Sequence, residues 1–113
     1  MQRNDEEEPV AVTDATFAKT VLEAPQPVLL DFGAEWCGPC VAVAPVIRSL
    51  AYEYSDRLKV ATVDVDADPQ LAARYGVRSL PTVMLLEAGE IRRVLVGARS
   101  GQEYRAAIEG VLH

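Results

Sequence analysis

Cys37 and Cys40 are the two cysteines of the 113-residue chain, and two residues separate them. On a helix that spacing sets them one turn apart on the same face, which favours a local dithiol and disulfide pair. Exchange needs a thiolate, so one sulfur must hold negative charge near neutral pH. Cys37 stands just before a helix expected to begin near Gly38, where free backbone N–H groups and the helix dipole stabilise an anion. Cys40 is expected one turn inside and less exposed. On that basis Cys37 attacks a substrate disulfide, and Cys40 then resolves the mixed disulfide.

Other uses of two cysteines fit less well. A zinc site needs about four ligands, and the one histidine of the sequence is His113 at its end, so no metal is expected. A cysteine hydrolase would need an internal histidine. An inert disulfide is disfavoured in a reducing compartment. The run Asp64, Asp66, Asp68 suggests a calcium loop, but proline and tyrosine stand at 69 and 75, where glycine and glutamate are required.

Asp31 lies six residues before Cys37 in an apolar run, where an ionised carboxylate is costly and its pKa should rise. Alone, it would be read as a strand-end aspartate satisfied by backbone. Beside the cysteine pair, it reads better as a proton acceptor and donor for Cys40, directly or through water. Trp36 fits either the core or a docking surface. Pro81 fits either a trans strand start or a cis bond near the cysteines.

The elements that must position these groups follow from the apolar pattern. Val10 to Val12 suit a short edge strand, and Thr13 or Asp14 caps a helix carrying Phe17, Ala18, Val21 and Leu22, stopped by Pro25 and Pro27. Val28 to Phe32 reads as a strand buried on both faces and central in its sheet. The helix from Gly38 repeats Val43, Val46, Ile47, Leu50, Ala51 and Tyr54 along one side, with Pro45 bending it without ending it. Lys59 to Val65 is a second strand, with a right-handed connection to the first. Asp68 caps a short helix begun by Pro69 and closed by Gly76. Thr82–Leu86 and Ile91–Val96 form a hairpin, and Ser100 with Glu103 makes a capping box for a last helix carrying Tyr104, Ala107, Ile108 and Val111. The expectation is an α/β domain over 10–113, a mixed sheet with helices on both sides.

Half the composition is hydrophobic, enough for one core. The net charge is -6, of which residues 1–9 carry half. Those nine residues are expected to form a mobile acidic tail. No cluster of Lys and Arg suits nucleic acid. No apolar run approaches the ~20 residues a bilayer crossing needs, and no secretion signal opens the sequence, so a cytoplasmic protein free of membrane is expected.

The run Trp36-Cys37-Gly38-Pro39-Cys40 resembles the active site of the thioredoxin family, and the resemblance extends from about Val10 to the end. It is carried in order by Asp31-Phe32, Ala34-Glu35, Ala44-Pro45, Asp64-Val65-Asp66, Tyr75-Gly76-Val77, Leu80-Pro81-Thr82, Gly89-Glu90 and Val96-Gly97-Ala98. The resemblance implies the thioredoxin fold, with about five strands and four helices. It implies a cis Pro81 and a peptide groove of Trp36, Gly38, Pro39, Leu80, Pro81, Gly97 and Ala98, in which the Leu80 backbone pairs with substrate. It also implies a monomeric protein-disulfide reductase whose only cofactor is its own Cys37–Cys40 disulfide, recharged by thioredoxin reductase and acting on disulfide-containing proteins. A specialised redox protein or a binding module using the same groove is the alternative. Three positions depart from the family pattern: Gly33 replaces an aromatic residue, Val41 a lysine, and Thr62 a lysine near the buried aspartate. Losing a cation there should raise the Asp31 pKa further.

Overall fold

Val28 to Gly33 alternates between two apolar environments, because successive strand residues face opposite sides of a sheet. In the computed structural model, which describes residues 7–112, this segment is β2, the middle of five strands. The elements are β1 (Val10–Ala11), α1 (Asp14–Phe17, continuing as a wide π turn over Ala18–Leu22), β2 (Val28–Gly33), α2 (Gly38–Glu53), β3 (Lys59–Asp64), α3 (Pro69–Arg74), β4 (Thr82–Glu87), β5 (Glu90–Val96) and α4 (Gly101–Val111). The strand order is β1-β3-β2-β4-β5. β1 and β2 run parallel to β3, whereas β4 is antiparallel to β2 and β5 to β4. Residues 1–6 of the expected tail, and His113, lie outside the described residues.

Two cores form, one on each sheet face. Leu29, Val60, Val83, Leu85 and Leu95 pack under α2 and α4, meeting Val43, Ile47, Leu50, Tyr104 and Ile108. On the other face Val28, Leu30, Phe32, Ala61 and Met84 pack with Phe17 and Val21 of the first helical segment and Leu71 of α3. Asp31 has the parity of Leu29 and therefore faces the α2 side, as does Thr62, its register partner on β3. The side of the sheet that receives the cysteine helix is thus set by one-residue alternation in β2.

Two local expectations are corrected. The apolar spacing puts Ala18 on the buried face of the first helix, but it is exposed. There the Glu23 N–H reaches back five residues to the Ala18 carbonyl at 2.9 Å, and this wide turn rotates Ala18 outward while keeping Phe17 and Val21 buried. Asp68 holds the cap position of α3 but makes no side-chain bond to that helix. Its Oδ1 instead accepts from the Asp14 N–H of α1 at 3.0 Å, satisfying a free donor of the other helix.

The remaining segments follow the pattern. α2 runs through Pro45 without a break. The β4–β5 hairpin turns at Ala88 and Gly89, both with positive φ, the turn geometry that matches strand twist. At α4 the Glu103 N–H donates to Ser100 Oγ at 3.1 Å, and the Ser100 N–H donates to Glu103 Oε1 at 3.2 Å. Ser100→Ala removes half of that box and is expected to cost about 1 kcal/mol in urea denaturation.

Candidate active site around Cys37 and Cys40

β2 ends at Gly33 and α2 begins at Gly38, so the loop between them, ending in Cys37, sits at the carboxyl end of the central strand. This is where open α/β sheets place their chemistry. Cys37 is the N-cap of α2, with Pro39 in the first turn, where its missing N–H leaves no helix donor unpaired. Cys37 and Cys40 form a disulfide, with Cα atoms 5.2 Å apart. The Cys40 N–H donates to Cys37 Sγ at 3.2 Å. That bond, and the start of a sixteen-residue helix, direct positive partial charge at the Cys37 sulfur.

The exposure of the two cysteines corrects the expectation. Cys37 is 5% exposed, whereas Cys40 is half-buried. Two neighbours explain the inversion. Cys37 shares the wall of the front cavity with Val65 of the β3–α3 connection and Val77 and Leu80 of the α3–β4 connection, while Cys40 faces Gly33, which has no side chain to cover it. A Cβ built on Gly33 would lie 3.4 Å from Cys40 Sγ.

Two separate cavities flank the disulfide. The front one, about 420 Å³, brings together Trp36, Cys37, Gly38, Pro39 and Leu80 of the expected groove. Pro81, Gly97 and Ala98 do not line it. Pro81 is buried in a cis peptide bond after Leu80, and its carbonyl accepts from the Gly97 N–H at 2.8 Å. Gly97 has φ +86°, a conformation glycine adopts freely, and Ala98 beside it is exposed. Trp36 is 70% exposed, which settles its choice between core and surface. Its indole Nε1–H donates to Asp66 Oδ2 at 2.7 Å, fixing a large apolar face beside Cys37.

The back cavity, about 250 Å³, contains Asp31, Gly33, Cys40 and Thr62. Asp31 Oδ1 is buried without a hydrogen-bond partner. Burial raises the Asp31 pKa from 3.8 to about 6. Removal from water is the one cause, with no cation offsetting it, as the threonine at 62 leads one to expect. A carboxyl with that pKa exchanges its proton near neutrality, and it shares its cavity with Cys40.

Sequence reasoning missed two contributors. Asp66 holds Trp36 across thirty residues, and nothing local signals that pairing. Arg78 lines the front cavity beside Cys37, and its position just before Ser79-Leu80-Pro81 is the available hint. Within the aspartate run at 64, 66 and 68 the bonds are structural: Asp64 Oδ1 accepts from the Asp66 N–H at 2.9 Å. Among the described residues, no group of three or more His, Cys, Asp or Glu is placed to hold a metal ion. No described helix is long and apolar enough to cross a membrane.

The thioredoxin family model matches residues 8–110. Thioredoxin 1 of Synechococcus elongatus is 52% identical over 88 residues, covering 78% of this chain and 82% of that protein. A thioredoxin of Acidithiobacillus ferridurans is 42% identical over 101 residues, covering 89% and 94%. Among solved structures, a mutant thioredoxin from Halobacterium salinarum superposes with a TM-score of 0.88 at 33% identity, covering 99% of this chain and 97% of that one. With a redox-active pair at the head of α2, a central mixed sheet and these relatives, the chain belongs to the thioredoxin family, the protein-disulfide oxidoreductases that work by dithiol–disulfide exchange.

Proposed function

We propose that Cys37 is the attacking sulfur, Cys40 the resolving one and Asp31 the proton acceptor for Cys40. The observation that carries this assignment is the Cys40 N–H donating to Cys37 Sγ at the head of α2. It lowers the cost of a thiolate at Cys37, and exchange rate rises with the thiolate fraction of the attacking sulfur. The Cys37 thiolate attacks one sulfur of a protein disulfide, and the other sulfur leaves as a thiolate that takes a proton from solvent. Cys40 then gives its proton to Asp31, directly or through water, and attacks Cys37 Sγ. The bond to substrate breaks, and the second substrate sulfur leaves reduced.

Substrate docks on the front face. Trp36, Gly38, Pro39 and Leu80 form the apolar wall there, Pro81, Gly97 and Ala98 are assigned to substrate contact outside that cavity, and an extended segment pairs with the backbone at Leu80. The oxidised protein is recharged by a thioredoxin reductase in the cytoplasm, and the protein acts as a monomer.

Reduction of insulin disulfides with NADPH and thioredoxin reductase tests this reading. Turnover is expected with the native chain and none with Cys37→Ser. A native chain that dithiothreitol reduces, but that accepts no electrons from thioredoxin reductase, would show a partner-specific redox protein or a binding module instead.

A further inference from the structure

The disulfide has two faces that share no lining residue. The front cavity reaches Cys37 beside Arg78 and the Trp36 indole. The back cavity reaches Cys40, and three of its lining residues are the carboxylates Asp31, Glu35 and Asp64, with no lysine or arginine among them. The rest of its wall is small: Gly33, Ala34, Val41, Ala44, Thr62 and Val63 leave a shallow space of about 250 Å³ beside Cys40, room for a small thiol. Gly33 controls entry, because the first carbon of any side chain there would contact Cys40 Sγ at 3.4 Å.

Chemistry at that sulfur favours attack from behind. A nucleophile at Cys40 Sγ expels Cys37, the sulfur held by the Cys40 N–H and the helix start, and a better stabilised thiolate leaves faster. The exposed carboxylates Glu35 and Asp64 at the mouth repel anionic thiols and attract cationic ones.

We propose that the Gly33 cavity is an entry site for small cationic aminothiols, which reduce the protein by attacking Cys40 and so supply electrons by a route separate from the front groove. In the first step an aminothiolate bonds to Cys40 Sγ, the Cys37–Cys40 bond breaks, and Cys37 leaves as a thiolate. In the second, another aminothiolate attacks the aminothiol sulfur of that mixed disulfide, and Cys40 leaves as a thiolate. Two aminothiols become one disulfide, the protein gains two electrons, and the two thiol protons pass through solvent to the new cysteine thiols. This deepens the proposed function, since it rests on Cys37 being the better stabilised sulfur, but it concerns the donor rather than the substrate.

The test uses the oxidised full chain with cysteamine, 2-mercaptoethanol and thioglycolate, each rate per thiolate being divided by that reagent's rate with a small uncharged disulfide, because a more basic thiolate is intrinsically the better nucleophile. Cysteamine is expected to outpace thioglycolate by about tenfold at low salt, with 2-mercaptoethanol between them and the spread shrinking at high salt. Acid quenching, alkylation and peptide mapping should find the cysteamine adduct on Cys40 and alkylated Cys37. Gly33→Leu should slow cysteamine about tenfold by covering the sulfur. Glu35→Gln, an exposed change that keeps the fold, should reduce the cysteamine preference about twofold. An adduct on Cys37, or equal normalised rates for all three reagents, overturns the proposal. The insulin assay with thioredoxin reductase reads the other face, so loss of one activity without the other identifies which reading has failed.

Discussion

Asp31→Asn is expected to stabilise the oxidised protein by about 3 kcal/mol at pH 8 and hardly at all near pH 3.5, because a tenfold change in proton affinity corresponds to about 1.4 kcal/mol. Burial raises the pKa of the Asp31 carboxyl from 3.8 to about 6. The sign follows from proton binding. Between pH 3.8 and 6 the folded protein holds the proton that the unfolded chain has released, so stability falls as pH rises through this window. Below it both states are protonated and the aspartate costs little more than an amide. Above it the folded state carries a desolvated charge whose Oδ1 lacks a hydrogen-bond partner, whereas asparagine carries none. Denaturation in urea at the two pH values, native chain against variant, measures the difference. A variant advantage that does not grow between pH 3.5 and 8 would contradict the raised pKa.

The same substitution is expected to slow release of substrate from the mixed disulfide by about 100-fold at pH 7, the usual scale for loss of a general base. On the proposed assignment, Cys40 then has lost the buried carboxylate that takes its proton. In the native chain the release rate should rise with pH through about 6, as Asp31 ionises, and then level off. In Asp31→Asn that inflection should vanish. Fluorescence of Trp36, one residue from the mixed-disulfide sulfur, follows the step in a single turnover. Stability and turnover are therefore expected to move in opposite directions at one residue, the pattern of a group kept for function at a cost to the fold.

Much of this architecture is legible locally. The apolar run at 28–32, the glycine after it and the 3.6-residue periodicity from Gly38 mark the strand-to-helix joint that presents the cysteines, because each signal needs only its own segment. The parity that turns Asp31 toward α2 is also contained in β2. What escapes a local reading depends on residues distant in sequence. Helix depth alone ranks the exposure of the two cysteines in the wrong order, because the missing side chain of Gly33 leaves Cys40 open. Asp68 has the position of a cap for its own helix, yet its carboxylate serves Asp14, fifty-four residues away. The bond that fixes Trp36 comes from Asp66, just beyond the end of β3.

The division of labour between the sulfurs is the centre of the account, and the inverted exposure makes it worth testing directly. Cys40→Ser and Cys37→Ser, each reduced and mixed with a protein disulfide, should behave oppositely when trapped species are quenched and mapped by mass spectrometry. In Cys40→Ser the substrate should be found bound to Cys37 and should stay there, because nothing resolves it. In Cys37→Ser almost no adduct should form, since Cys40 lacks the helix-start stabilisation. Substrate captured mainly on Cys40 would contradict the account, showing that exposure rather than thiolate stabilisation selects the attacking sulfur.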